Sequence, residues 1–184
     1  MFNLDLAILC YATHMPYQLI LAVIAFIALL LSLLIAISNI ISMALGAPAV
    51  SSPRHELWKK FAANDKTLLD LGCGMGNICV AAAPYFRHVY GIEYSPWYYL
   101  VSRLRTRHLK NVSIIHGNFF TTKWPQTDYI YAYLFPDLLT KLYPRLKESQ
   151  AIVLSLSFPI NAVKADKVVD NGKKKMYIYR PISV

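Results

Sequence analysis

The densest chemical signal in the chain is a run of seven residues, Asp70-Leu71-Gly72-Cys73-Gly74-Met75-Gly76. It leaves a short apolar run, Thr67–Leu71, and opens a stretch of helical character, Asn77–Phe86. Glycines in that position let the backbone turn sharply and approach a ligand, with the first amides of the following helix exposed. Glu93 ends the next apolar run, His88–Glu93, and falls 21 residues after Gly72. A carboxylate there can accept hydrogen bonds from both hydroxyls of a ribose. The glycine loop and the carboxylate in register are far more specific than either alone. A dinucleotide site would prefer Gly-x-Gly-x-x-Gly, which puts a third glycine at 77, but the chain has Asn77 there and its third glycine at 76. His55, His88, His108 and His116 show no metal-ligand spacing, and three cysteines do not make a disulfide scaffold.

The elements that must hold these residues alternate. Thr67–Leu71 reads as a buried parallel strand, His88–Glu93 as a second, and Val112–His116, Asp128–Tyr133 and Ala151–Leu156 as three more. Between them Asn77–Phe86, Pro96–His108 and Asp137–Lys147 read as helices. Asp170-Asn171-Gly172 separates Val163–Val169 from Lys174–Arg180, a strong hairpin signal. The pattern predicts an α/β domain: a mostly parallel sheet with helices on both faces and a C-terminal antiparallel hairpin at its edge. Ligands of such sheets bind beyond the carboxyl ends of the strands, where the glycine loop and Glu93 fall.

Composition divides the chain in two. Of 184 residues 56% are hydrophobic and 16% charged, with a formal net charge of +9. Those figures exclude disorder and low-complexity classes. From Leu6 to Pro53 there is no Asp, Glu, Lys or Arg, and all 19 basic residues lie at Arg54 or later. Nineteen basic side chains against nine acidic ones give that region a net charge of +10. Leu19–Ile37 is almost wholly apolar, and a helix from Leu19 to Ile41 would be roughly 35 Å long, enough to cross a bilayer core of about 30 Å. A buried helix or a cleaved signal peptide are the competing readings. The first would want a polar face, and the second a basic residue ahead of a shorter apolar run. The division expected is therefore a flank over 1–16, a transmembrane helix over 17–45, a linker over 46–53 and a soluble domain over 54–184. Basic residues follow the span and none precedes it, so the positive-inside rule places the domain in the cytoplasm.

From about Thr67 onward the domain resembles the class I (seven-β-strand) S-adenosylmethionine-dependent methyltransferases, with their Asp-x-Gly-x-Gly-x-Gly loop and second-strand carboxylate. The resemblance implies a Rossmann-like fold, S-adenosyl-L-methionine as cofactor, and a cofactor site at Asp70, Gly72, Gly74, Gly76 and Glu93. Cys73, inside the loop, and Tyr94, next to Glu93, are counted with it. Asn118 and Phe119, after the third strand, fit the position that meets the adenine. No metal is implied, because the methyl group is already activated on a sulfonium.

Tyr133-Leu134-Phe135-Pro136-Asp137 follows the fourth strand and lacks the Asn/Asp-Pro-Pro-aromatic motif of many enzymes acting on planar nitrogens. The arrangement is similar to the membrane-anchored lysine methyltransferases of the adenine nucleotide translocase and ATP synthase c-subunit type, and the resemblance covers most of residues 47–184. The shared features are the apolar N-terminal segment, Val50-Ser51-Ser52-Pro53 ahead of the domain, Glu93-Tyr94-Ser95-Pro96-Trp97, and Ser157-Phe158-Pro159 after the fifth strand. Cys73, Met75, Asn77 and Ser95 depart from that group, which typically has Ser, Asp, Arg and Asn there. The resemblance implies a lysine of a membrane protein as acceptor and the bilayer as a partner. Tyr133 and Phe135 are the candidate catalytic residues, since aromatic rings can hold an ammonium and guide the amine. A lipid or small hydrophobic acceptor, RNA, or a cofactor-binding scaffold without turnover are the alternatives. The basic balance favours nucleic acid and the anchor argues against it. Trp97 reads as a packing or interfacial residue, and Arg103, Arg105, Arg107 and Lys110, with Lys173 to Lys175, as solvated faces.

Overall fold

The structure, a computed structural model, describes residues 4–44, Trp58, Phe61, 63–170 and 174–181. Two units divide at Ile40/Ile41. The first is built on the helix α1 (Leu4–Ala44), which begins well ahead of residue 17, where the span was expected to start. Within it Tyr17–Ile37, with a mean hydropathy of 3.3, is long and apolar enough to cross a membrane. The Ser32 hydroxyl donates to the Leu29 carbonyl at 2.7 Å, so the one polar side chain between Leu19 and Ile37 is satisfied within its own helix.

The second unit is a seven-stranded sheet. Its strands are β1 (Ala63–Leu71), β2 (Phe86–Glu93), β3 (Val112–His116), β4 (Tyr129–Ala132), β5 (Ile152–Leu156), β6 (Lys167–Asp170) and β7 (Lys175–Tyr179). They lie in the order β3-β2-β1-β4-β5-β7-β6. The first five are parallel, and β7 runs antiparallel between β5 and β6. The expected Rossmann-like sheet and terminal hairpin are both present. The hairpin is displaced in one respect: the last strand pairs inward with β5, and β6 is the outer edge. Its Asn171-Gly172 turn lies outside the described residues.

Helices α2 (Asn77–Ala82), α3 (Pro96–Thr106) and α4 (Pro136–Glu148) connect the strands. Alternation along β1 explains the two faces. Leu68 points to a cluster with Ile78, Cys79, Ala82, Trp58 and Tyr131, whereas Leu69 and Leu71 point to one with Leu139, Leu142 and Leu146 of α4. Burying one such leucine contributes about 1.5–3 kcal/mol, so each face holds its helices mainly by apolar packing. The helical stretch expected over Asn77–Phe86 stops at Ala82, because Pro84 closes it as a 3₁₀ turn and Phe86 already opens β2. The strand expected over Val163–Val169 begins only at Lys167.

Candidate active site

Strand order reverses between β1 and β4, which opens a crevice at their carboxyl ends. Gly72, Gly74 and Gly76 leave β1 with φ of +76°, +54° and +76°, a backbone region that side chains resist. A Cβ on Gly74 would meet nothing within 4 Å, so the loop's outer surface faces open space. One on Gly76 would lie 3.2 Å from Ser102 Cβ, which is how closely α3 packs on the loop. The loop is anchored on β2, since the Gly72 and Cys73 amides both donate to the Ile92 carbonyl at 2.9 and 3.0 Å.

Glu93 and Asp70 sit at the floor of this crevice, both buried. Glu93 Oε2 accepts the Gly74 amide at 2.8 Å and Oε1 the Ser95 amide at 2.7 Å, tying the glycine loop to the start of α3. Burial raises the Glu93 pKa, and the Ser95, Gly74 and Tyr94 amides oppose that rise. The carboxylate keeps accepting capacity beyond these bonds. Ser95 caps α3 and Pro96 takes its first turn, so a serine in place of the asparagine typical of the resembling enzymes keeps the local geometry. Asp70 is more poorly served: the hydrogen bond found for its carboxylate among the described residues comes from the Cys79 thiol, at 3.8 Å. Burial first, then the Glu93 charge, pushes its pKa up to about 8.

The remaining candidates fall around the same edge. Tyr94 is exposed beside Glu93, and Phe119 is buried with its ring edge 3.9 Å from where a Gly72 Cβ would be. Asn118 is half-buried, and its Oδ1 accepts the Phe120 amide at 2.9 Å, which leaves the side-chain amide donor for a ligand. The Cys73 side chain is turned inward with Cys79, so this residue reaches the crevice through its backbone. Its thiol is pushed well up, first by the hydrogen bond to Cys79 and then by burial. Cys79 is raised too: burial and the Asp70 carboxylate outweigh the opposing bond to Cys73. Both thiols stay protonated and act as packing rather than as nucleophiles.

Three positioning residues escaped the sequence reading. Gly91 in β2 makes room for the cysteine pair, because a Cβ there would lie 2.8 Å from Cys73 Sγ and 2.9 Å from Cys79 Sγ. A lone glycine inside a strand is the signal that pointed to it. Arg105 is exposed, as expected, but it also donates to the Met75 carbonyl at 3.1 Å and to Asn77 Oδ1 at 2.7 Å, bracing the glycine loop from α3. Arg145 of α4 donates to the carbonyls of Phe119, Phe120 and Thr122 and stacks 4.3 Å from the Trp124 ring. It holds the turn after β3 in place.

The family model of the ANTKMT methyltransferase domain matches residues 70–167, just over half of the chain. The chain belongs to this family. A solved RNA methyltransferase from Salinibacter ruber, in complex with S-adenosyl-L-homocysteine, is 25% identical with a TM-score of 0.66, over 73% of this chain and 96% of that one. A SAM-dependent methyltransferase from Aquifex aeolicus (20% identity, TM-score 0.55, 68% and 88% covered) shares the fold. So does a ribosomal protein L11 methylase from Lactobacillus delbrueckii subsp. bulgaricus (16%, 0.55, 68% and 76%). The ANTKMT-family domain is thus an S-adenosylmethionine-dependent methyltransferase.

The crevice fits that cofactor. A buried carboxylate whose one donor among the described residues is a thiol suits a cationic ligand, the spare accepting capacity of Glu93 suits ribose hydroxyls, and the open space above Gly74 admits a backbone-close ligand. When bound, the cofactor supplies a methyl group activated on a sulfonium. The residues of the chain then have to orient, exclude water and receive the acceptor. Beyond the carboxyl ends of β4 and β5 the surface is aromatic. Tyr133 follows Ala132, which pairs with Leu71 beside the glycine loop. Its ring stacks with Phe158 at 6.1 Å and 15°, and Phe135 meets Phe158 at 5.6 Å. Ser157 directs Phe158 there through a left-handed backbone (φ +66°), held by the Ser155 hydroxyl on the Phe158 carbonyl and by the Ser157 amide on Lys175. That strain costs on the order of 1–2 kcal/mol, and such strain clusters at functional sites. Lys174 lies against the trio, its Nζ 4.4 Å from the Tyr133 ring centre and 3.2 Å from the hydroxyl. A cavity of about 270 Å³ between α4, Ala151 and Arg180 lies at the amino end of β5, remote from this chemistry.

Proposed function

We propose that the protein is a membrane-anchored protein-lysine N-methyltransferase. The observation that carries the lysine reading is an aromatic site beyond β4 and β5 that accommodates an alkylammonium group, as Lys174 does on Tyr133. A cation–π contact of this kind is worth about 0.5–2 kcal/mol and guides an amine without preventing its deprotonation. Tyr133 and Phe135 receive the acceptor. Asp70, Gly72, Cys73, Gly74, Gly76, Glu93, Tyr94, Asn118 and Phe119 form the cofactor side. The Tyr17–Ile37 stretch supports anchoring, with the domain in the cytoplasm and a membrane-protein substrate within reach of the tether.

RNA is the second reading. It is favoured by the net charge of +10 from Arg54 onward and by the RNA methyltransferase from Salinibacter ruber among the similar structures. One experiment separates the two. Full-length protein is incubated with methyl-labelled S-adenosylmethionine and membranes from its source, and the mixture is fractionated into protein, lipid and RNA. Label recovered as N-methyllysine in membrane protein is the expected result. Label confined to RNA or to the organic extract refutes the lysine reading.

A further inference from the structure

The lysine seated on the aromatic trio belongs to the chain itself. Because β7 is antiparallel to β5, its first residue lies at the carboxyl end of β5: Leu156 pairs with Met176, and the Ser157 amide donates to the Lys175 carbonyl at 2.7 Å. Lys174 therefore stands at the same sheet edge as Tyr133 and the glycine loop. The neighbouring Lys175 is exposed, whereas Lys174 is half-buried with its ammonium over the Tyr133 ring. A solvated lysine needs no aromatic face. This one has a ring beneath it and a hydroxyl beside it, the arrangement asked of an incoming substrate amine.

We propose that Lys174 is a methyl acceptor of its own chain, methylated in cis at the site assigned to the substrate lysine. This inference rests on the lysine reading above. In the step, Nζ first loses a proton to water and its lone pair attacks the sulfonium methyl. The carbon–sulfur bond breaks as the nitrogen–carbon bond forms, and S-adenosylhomocysteine leaves. The positive charge passes from sulfur to nitrogen in the displacement, so the product is already the methylammonium, and the methylated Lys174 keeps its charge and its place over Tyr133. Occupancy by Lys174 also sets an intramolecular competitor that an external lysine has to displace.

The test uses the full-length protein in detergent with trideuteromethyl-labelled S-adenosylmethionine, with and without source membranes, followed by peptide mass spectrometry. The expected result is a label on Lys174 that Lys174→Arg removes and Glu93→Ala prevents, with a first-order rate constant unchanged over a tenfold range of protein concentration. A rate constant rising in proportion to concentration refutes transfer in cis. Label on membrane-protein lysines with none on Lys174 overturns this inference and leaves the lysine reading standing. Label only in RNA or lipid overturns both.

Discussion

Replacing Gly91 by alanine tests how the sheet supports the cofactor loop. The added Cβ would lie 2.8 Å from Cys73 Sγ, 2.9 Å from Cys79 Sγ and 3.0 Å from Cys73 Cβ, all far inside van der Waals contact. Cys79 is fully buried and Cys73 nearly so. Overpacking of this kind costs about 1–3 kcal/mol. The lower backbone entropy of alanine in the unfolded chain returns about 0.4–1 kcal/mol. The net loss is then about 1–2 kcal/mol, which lowers the urea midpoint by roughly 0.5–1 M for a slope of about 2 kcal/mol per M. Unfolding of the 41–184 unit in detergent, followed by tryptophan fluorescence, reads that shift. Because Cys73 belongs to the glycine loop, titration with S-adenosylhomocysteine is expected to show weaker binding as well. Repeating the change in a Cys73→Ala/Cys79→Ala background is the control, since most of the penalty should vanish with the two sulfurs. An unchanged midpoint, or an equal penalty with and without the thiols, would refute the packing described here.

Three further outcomes follow from the site. Asp70 has its pKa raised from an ordinary 3.8 to about 8, so its stabilising effect on the folded chain without cofactor is complete below about pH 4 and is lost as pH rises through 8. A cationic ligand favours the ionised carboxylate, so titration calorimetry with S-adenosylmethionine should show proton release near pH 7 that disappears above pH 9 and in Asp70→Asn. Equal proton uptake or none in the wild type would sink that assignment. Arg145→Met strips donors from three carbonyls and should destabilise the domain by about 2–4 kcal/mol, measured by urea unfolding. Tyr133→Ala should lower kcat/KM for a lysine acceptor about three- to thirtyfold while cofactor affinity holds, and Tyr133→Phe, which keeps the ring, should lose less.

The glycine loop, Glu93 and the order of elements were legible because local spacing fixes them. A turn that needs positive φ demands glycine, and a strand end 21 residues on can be counted. Period two along β4 puts Tyr129, Tyr131 and Tyr133 on one face, with Tyr131 in the core. What local pattern does not encode is which distant partner a side chain finds. Arg105 and Arg103 share one helix and one charge, yet Arg105 alone reaches Met75 and Asn77 across 28 residues or more. Arg145 meets a turn more than 20 residues earlier in the chain, and Ser157 adopts φ +66° only because strands β5 and β7 impose it. Boundaries slipped for a related reason. β1 starts at Ala63, ahead of the apolar run, because pairing with β2 continues past the residues that are buried.

The site assignment is tested most directly by isothermal titration of S-adenosylhomocysteine into the full-length protein and its Glu93→Ala variant. Two ribose hydrogen bonds to a charged acceptor, at about 1.5 kcal/mol each, give an expected loss of affinity of at least a hundredfold. The variant's circular dichroism should stay that of a folded domain. Affinity equal to the wild type in a folded Glu93→Ala protein would contradict the placement of the cofactor at the β1–β2 edge.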